Sequence, residues 1–274
     1  MIRIKGGGPT VKEEVSGNPM EFYTSVPLSR FDALIDEVSG LGLNPEIRMT
    51  KADHLARMSS TDFEGIRERL ERDSLEIFTH GPFFGLDIAS LDRCLSEYSA
   101  DCLLIGLEAT SKMGGSLMVI HTGYMPQFSR GGRRHWFRNW AERMPHIADR
   151  ARELGVTIAL ENTWDDRPEI LLHLADLIPG DDVAFCLDTG HVNVFSRLHV
   201  GRWLDALGDR IAAIHLHDND GLSDDHLVPG EGTFDFPALA RRIAVMKKSP
   251  LLDLEVDVAD AERSRSYIEG LLGP

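Results

Sequence analysis

Short apolar runs alternate along the chain with longer amphipathic stretches. The apolar runs are typical of buried strands, and the amphipathic stretches are typical of helices that cover a sheet. The runs predict strands over 20–26, 45–49, 75–81, 117–123, 156–163, 183–191, 211–219 and 251–256. The longer stretches predict helices over 31–42, 62–74, 90–113, 134–154, 168–178, 200–208, 235–247 and 260–272. The chain therefore has the strand-helix alternation of βα units.

Eight strand-helix pairs follow one another with no linker and no change in composition, and eight is the number that closes a (βα)8 barrel. An open doubly wound sheet is the competing architecture, but it would normally carry a GxGxxG turn after its first strand, and none is present. With 42% hydrophobic residues in 274 the chain can bury a sizeable core. We predict an α/β fold with one TIM-barrel domain over 20–274 and an irregular lead-in over 1–19.

Composition bounds the setting in which the protein works. No segment approaches 18 consecutive apolar residues, so no membrane span is expected. The segment MIRIKGGGPTVKEEVSG lacks the apolar core of a secretory signal. Three scattered cysteines are too few for a disulfide framework. A reducing, cytoplasmic location is the expectation.

The predicted strands from the third to the eighth each end in a side chain that could bind a metal ion. In a parallel barrel these ends converge on the face where the βα loops build the active site. The loop after the seventh strand adds two more such groups, Asp224 and His226, in the sequence DDH. The candidate ligands are His80, His121, Glu161, Asp188, His191, His215, Asp224, His226 and Glu255.

Any one of these residues has an ordinary structural explanation. A histidine in a strand is usually a hydrogen-bonded structural residue, and an acid at a strand end often caps the next helix. Six consecutive strands with the same ending are better explained together, because carboxylates and imidazoles are seldom buried unless they are paired or metal-bound. The pattern predicts a metal site.

The mixture of imidazoles and carboxylates indicates which metal. Magnesium and calcium prefer shells made of oxygen alone, whereas zinc, manganese, cobalt and iron accept nitrogen and oxygen together. One ion uses four to six ligands, so nine candidates allow more than one ion. We expect one to three divalent ions, with zinc favoured and manganese, cobalt or magnesium as alternatives.

The order LDTGH, HLHD, DDH and PGEG resembles the xylose isomerase-like TIM barrels, which include sugar epimerases and isomerases and the endonuclease IV enzymes (AP endonuclease family 2). The resemblance covers nearly the whole chain from about residue 20. In endonuclease IV a nine-ligand set holds three zinc ions, and the resemblance implies that the nine candidates above fill it. The single-metal epimerases need four ligands, which here would be Glu161, Asp188, His215 and Glu255.

The first functional hypothesis is a sugar or sugar-phosphate isomerase or epimerase. A metal ion would polarise the substrate's oxygens and stabilise an enediolate. Glu161 and Glu255 would remove and return the proton. His191 would hydrogen-bond a substrate hydroxyl if it is not a ligand. Asn162 and Trp164 are expected to line the pocket, with Trp164 as a platform for the substrate.

The second hypothesis is zinc-dependent hydrolysis of phosphodiesters at abasic sites in DNA, for which clustered ions would generate hydroxide. Such an enzyme must hold a duplex through cationic groups, yet Asp and Glu outnumber Lys and Arg by 44 to 29. The net charge of −15 therefore favours the small-molecule hypothesis. A metal-binding or interaction protein without catalysis is a third possibility, but the intact ligand set and both glutamates count against it.

One basic segment, SRGGRRHWFRNW over 129–140, interleaves arginines with aromatic residues. It could bind one phosphate group of a sugar phosphate through Arg133 and Arg134, or stack on bases. The alternative, slightly favoured, is a solvated first turn of a helix whose aromatic residues pack on the barrel. In HLHD, His217 could be an alternative ligand to His215, but we expect His217 and Asp218 to shape the loop.

Overall fold

The computed structural model describes residues 20–180 and 183–273, and these form a closed eight-stranded barrel. The strands pair in chain order, all parallel, and β1 closes the barrel by pairing with β8. They are β1 (Phe22–Pro27), β2 (Asn44–Arg48), β3 (Phe78–His80), β4 (Leu117–His121), β5 (Thr157–Glu161), β6 (Val183–Asp188), β7 (Ile211–Leu216) and β8 (Leu251–Leu254). The (βα)8 prediction is confirmed, and the lead-in predicted over 1–19 lies outside the described residues.

Helices follow the strands and form the outer layer of the barrel. They are α1 (Phe31–Gly40), α2 (Ala52–Leu55), α3 (Ser60–Arg72), α4 (Arg93–Met113), α5 (Arg130–Glu153), α6 (Pro168–Asp176), α7 (Thr189–Phe195), α8 (Val200–Leu207), α9 (Phe236–Ile243) and α10 (Val258–Leu272). All eight predicted helices are present with shifts of a few residues at their ends. The short helices α2 and α7 were not predicted.

The helix α7 corrects one predicted element. The sixth strand was predicted to run to His191, but it ends at Asp188, and residues 189–191 begin α7. The reason is local: the Asp188 carboxylate accepts a hydrogen bond from the His191 N–H at 2.6 Å, which is an N-cap. His191 therefore projects from the first turn of a helix above the strand end.

Two apolar layers hold the barrel together. The larger lies between the sheet and the helices, where Trp136, Trp140 and Trp203 are completely buried. The smaller fills the inside of the barrel and consists of Tyr23, Phe78, Leu117, Val119, Ala159, Cys186 and Ala213. This inner layer forms the floor on which the candidate site lies.

Candidate metal centre

The inner apolar layer and the candidate ligands are related by the two-residue period of a strand. Side chains at positions i and i+2 of a strand face the same side of the sheet. Two residues beyond the layer members Phe78, Val119, Ala159, Cys186 and Ala213 stand candidate ligands, which are His80, His121, Glu161, Asp188 and His215. The site is thus the next layer of the barrel interior, toward the carboxyl ends of the strands.

Glu161 lies at the centre of the first group of ligands. Its Oε2 is 3.0 Å from His80 Nε2 and 3.2 Å from His121 Nε2, and its Oε1 is 3.2 Å from His191 Nδ1. The Glu161 side chain is buried. One carboxylate from β5 therefore joins the ends of β3 and β4 and the start of α7.

Asp224 and His226 come from the loop after β7 and meet two further histidines. Asp224 Oδ2 is 3.3 Å from His191 Nε2 and 3.4 Å from His226 Nε2. The His226 ring stacks on that of His217, with the ring centroids 4.0 Å apart. His217 Nε2 in turn lies 3.0 Å from Asp188 Oδ2. The loop ligands are therefore continuous with the strand-end ligands.

His215 lies where the remaining carboxylates converge. Its Nδ1 is 3.1 Å from Glu255 Oε2, and 3.7 Å from both Glu161 Oε1 and Asp188 Oδ2. The structure thus brings all nine sequence-predicted ligands into one connected cluster. Their donor atoms include sets that lie within 4.8 Å of one another, for example His80 with His121 and Glu161, and Glu161 with Asp188 and His215.

Unpartnered atoms show that this cluster fits a cation. Among the described residues His215 Nδ1 has no hydrogen-bond partner although it is buried, because its approach to Glu255 Oε2 lacks hydrogen-bond geometry. A buried nitrogen without a partner is costly unless another ligand satisfies it. Ligand atoms of Glu161, Asp188 and His215 lie within 4.8 Å of one another, a spacing that the ligands of one divalent ion can have.

Three of the histidines are held in the orientation that a ligand requires. His80 Nδ1 lies 2.9 Å from Gly81 O, His191 Nδ1 lies 2.9 Å from Asn162 O, and His226 Nδ1 lies 2.9 Å from Glu255 O. A carbonyl oxygen can only accept, so each Nδ1 carries the proton. When the ring is neutral, as a metal ligand must be, the Nε2 lone pair of each ring faces the cluster.

The same cluster shifts the pKa values of its members in the metal-free protein. Burial favours the neutral form of Glu161, but His121, His191 and His215 outweigh it and hold the pKa of its carboxyl well below the usual range. Burial likewise opposes ionisation of Glu255, yet His215 lowers its pKa to about 2. Burial disfavours protonated His226, but its contact with Asp224 raises the pKa to about 9.

Glu46 and Asp253 were not among the predicted ligands, and His217 was predicted to shape the loop. His217 lies in the cluster, on the same strand face as Ala213 and His215. Glu46 and Asp253 are fully buried and group with His215 from the side below the other ligands. The two-residue period could have identified His217, since it lies two positions after His215, whereas the depth of Glu46 and Asp253 depends on the register between strands.

Asp218, the other half of the predicted loop-shaping pair, does order the loop. Its carboxylate accepts hydrogen bonds from the N–H groups of Gly230, Gly232 and Phe234, at 2.9 to 3.1 Å. Asp218 and Leu227 also exchange two backbone hydrogen bonds of 2.8 Å. The segment that carries Asp224 and His226 is therefore tied at both of its ends.

The four predicted substrate-binding residues occupy different environments. Asn162 is buried, and its amide bonds both the N–H and the C=O of Asp188, at 2.8 and 3.0 Å. Trp164 is exposed on the loop after β5. Arg133 donates from Nη2 to Pro126 O at 3.2 Å and lies over the Tyr124 ring, whereas Arg134 is exposed.

Sequence comparison finds curated proteins that are similar to this chain. An uncharacterised protein of Methanocaldococcus jannaschii is 25% identical over 223 residues, which cover 78% of this chain and 76% of that protein. Fructoselysine 3-epimerase of Escherichia coli O157:H7 is 26% identical over 162 residues, which cover 56% of each.

Solved structures share the whole barrel. A protein of Thermus thermophilus, solved after soaking with ZnCl2, superposes with a TM-score of 0.79 and 29% identity over 92% of this chain and 98% of that chain. A D-tagatose 3-epimerase-like protein superposes with a TM-score of 0.81 and 23% identity over 92% and 97%. At that identity the second match shows the fold alone.

No helix among the described residues is long and apolar enough to cross a membrane.

The family described as the xylose isomerase-like TIM barrel matches residues 44–271, which is most of the chain. The chain belongs to the xylose isomerase-like TIM barrel family.

Proposed function

We propose that this protein is a metal-dependent isomerase or epimerase of a sugar or sugar phosphate. One observation carries the proposal: Glu161 and Glu255 approach the same unpartnered nitrogen of His215 from two different strands. Two buried carboxylates on either side of one cation position can act on opposite faces of a bound substrate. Inversion at a carbon beside a carbonyl by a two-base mechanism needs one proton-transfer group on each face.

The residues that would hold the catalytic ion are Glu161, Asp188, His215 and Glu255. When bound, a divalent ion there would polarise the carbonyl and hydroxyl oxygens of the substrate, which favours an enediolate. Glu161 or Glu255, as the carboxylate, removes the proton from the adjacent carbon, and the other group, which must first take up a proton from solvent, delivers it to the opposite face; the proton that was removed is then released to solvent. In the metal-free protein the low pKa of both carboxyls keeps them ionised at neutral pH, which is the form that the proton-accepting member of the pair needs.

Further residues around the cluster are proposed to contact the bound sugar. His191 is only partly buried, so it can reach a substrate hydroxyl if it does not hold an ion. Trp164, exposed beside Glu161, offers a flat apolar face to a sugar ring. Arg134 extends from α5 and could bind a phosphate group. The fructoselysine 3-epimerase among the relatives also supports sugar chemistry.

We assign the protein to a reducing, cytoplasmic setting. All three cysteines are free thiols, and Cys102 and Cys186 are buried. The partner that this function requires is a small-molecule sugar rather than a nucleic acid, in line with the net charge of −15.

A second candidate function is zinc-dependent phosphodiester hydrolysis, and one observation favours it. Beyond the four ligands above, His80 and His121 gather on Glu161, and His191 and His226 gather on Asp224. A single-metal epimerase has no need of these groups, whereas three ions would use them all. The acidic surface counts against a DNA substrate.

Metal content decides between the two candidates. Protein purified without a histidine tag or added metal is analysed for metal per chain, then assayed on ketose and aldose panels and on abasic duplex DNA at low salt. One exchangeable Mn²⁺, Co²⁺ or Zn²⁺ with epimerisation of a sugar is the expected result. Three tightly held zinc ions with DNA cleavage, and no sugar turnover, would replace the proposed function by the second one.

A further inference from the structure

His215 is tied to the protein through a different ring nitrogen from the other candidate ligands. His80, His191 and His226 each donate from Nδ1 to a backbone carbonyl, which leaves Nε2 facing the cluster. In His215 the free nitrogen is Nδ1, and Nε2 lies 3.1 Å from Glu46 Oε1. The partner of His215 is thus a carboxylate on β2 instead of a carbonyl.

Glu46 reaches His215 across the inside of the barrel. Two strands, β1 and β8, separate β2 from β7 around the sheet. Both side chains are fully buried. A surface ion pair would be weakened by water, but this contact is shielded on every side.

Glu46 has few other attachments that would explain its burial. Its second oxygen, Oε2, has no hydrogen-bond partner among the described residues. Asp253 on β8 pairs with His215 on β7 in the register of the sheet. Neither of its carboxylate oxygens has a hydrogen-bond partner among the described residues. Two buried carboxyl groups so poorly satisfied do not serve the stability of the fold.

The chemistry of imidazole explains how the contact between Glu46 and His215 could affect metal binding. A neutral imidazole coordinates through its unprotonated nitrogen, so His215 can bind an ion through Nδ1 only when its single proton is on Nε2. Without an acceptor beside Nε2, the proton would move to Nδ1, where Glu255, Glu161 and Asp188 would attract it. The Glu46 oxygen 3.1 Å from Nε2 can accept that proton, which keeps it on Nε2 and makes Nδ1 a stronger electron donor.

We propose that Glu46 is a positioning residue of the metal site: it accepts the Nε2 proton of His215 and so directs the Nδ1 lone pair to the ion shared by Glu161, Asp188 and Glu255. The inference rests on the proposed function only in requiring that an ion binds there. It adds one residue to the site and assigns the protonation state of one ligand.

Three variants separate this role from a general effect on folding. Glu46→Leu removes the acceptor. Glu46→Gln keeps an amide oxygen that can accept the same N–H. Thr24→Val is the matched control, because Thr24 is equally buried on the neighbouring strand β1, yet its hydroxyl donates to Leu254 O and touches no histidine.

The readout is the affinity for Zn²⁺ alone, measured by competition with a chromogenic chelator, with unfolding temperatures recorded for the metal-free proteins. Glu46→Leu should raise the Kd for Zn²⁺ by about 10–100-fold, the range found for groups that support metal-bound histidines. Glu46→Gln should raise it less, and Thr24→Val should leave it unchanged. In zinc-loaded protein, the slowly exchanging Nε2 proton of His215 should be visible by NMR in wild type and in Glu46→Gln, and lost in Glu46→Leu.

Two outcomes would overturn the inference, and they are distinguishable. Zinc binding by Glu46→Leu that is as tight as in wild type would remove the positioning role and leave the proposed function standing. Wild-type protein that binds no Zn²⁺, Mn²⁺ or Co²⁺ would overturn the proposed function and the inference together.

Discussion

Glu161 and Glu255 converge on one nitrogen of His215, at 3.7 and 3.1 Å, although their strands β5 and β8 are separated by β6 and β7 in the sheet. Glu255 extends its other oxygen to Arg48, with Nη1 3.7 Å from Oε1. This places one carboxylate at the buried end of the cluster and the other near the rim.

We expect Glu161→Gln and Glu255→Gln each to lower kcat by at least about 100-fold, because each variant removes a proton-transfer group. The fold should persist, since Gln has the same shape. Steady-state kinetics and circular dichroism on the same preparations check this, with Glu269→Gln on the exposed face of α10 as the control. Full activity in either site variant would refute the two-carboxylate mechanism.

The basic segment is expected to divide into two roles. Arg133 packs on Tyr124 and bonds Pro126, so Arg133→Ala should lower the free energy of unfolding by about 1 kcal/mol. The exposed Arg134 should contribute little to stability. If the segment binds a phosphate group, Arg134→Ala will raise KM for a phosphorylated sugar more than for its unphosphorylated analogue. If Arg134→Ala changes KM equally for the phosphorylated sugar and for its analogue, the segment has a packing role alone.

The metal-free protein should lose stability as the pH rises from 6.5 to 9. The pKa of His226 is about 9 when folded, against an ordinary value of 6.5, so folding favours its protonated form. The stabilisation from its contact with Asp224 is complete below pH 6.5 and disappears as His226 loses its proton. Unfolding temperatures of chelator-treated protein measure this effect.

His226→Gln should flatten that pH dependence, and His135→Gln on the exposed side of α5 should not. Zinc affinity is expected to move in the opposite direction and increase toward pH 9, because the ion competes with protons for the same nitrogens. Zinc affinity that is independent of pH in this interval would show that His226 is not a ligand.

Asp165 predicts a separate pH effect. Burial raises the pKa of its carboxyl to about 7, and one of its oxygens, Oδ1, lacks a partner among the described residues. Folding therefore favours neutral Asp165, and stability falls as the pH rises from about 4 to about 7, by at most on the order of 4 kcal/mol. Asp165→Asn should raise the unfolding temperature at pH 8 and have little effect at pH 4. An equal effect at both pH values would contradict this assignment.

Gly190 makes room for His217. A Cβ at Gly190 would collide with the His217 ring, which bonds Asp188. Gly190→Ala should therefore cost about 1–3 kcal/mol of stability through overpacking and weaken metal binding. Gly131→Ala in α5 is the control, since its Cβ would meet only Ser129 Oγ at 4.0 Å. Urea unfolding of both variants measures the difference, and a stable Gly190→Ala with wild-type metal affinity would exclude His217 from the site.

Much of the barrel could be predicted because most strand residues are buried on both faces and the strands β3 to β6 each end in a histidine or an acid. The positions of His80, His121 and Glu161 follow from the parallel arrangement alone. His191 did not follow in the same way, because the cap formed by Asp188 turns the chain into a helix that apolar runs do not reveal.

Glu46 and Asp253 were missed for a different reason. A strand pattern shows where the apolar run stops, but the depth of a side chain inside the barrel depends on the register between strands. Glu46 pairs with Ser25 and Phe78, which places it level with the inner layer and below the predicted ligands. That relation exists only in three dimensions.

The pairing of β1 with β8 determines when the candidate site can form during synthesis of the chain. Glu255, the last candidate ligand along the chain, directly follows the strand that closes the barrel against β1. A nascent chain that has not yet reached residue 251 lacks both the closing strand and Glu255, the fourth residue proposed to hold the ion. Acquisition of the ion would therefore be a late event in biosynthesis, and a metal-loaded molecule would be one whose barrel is already closed.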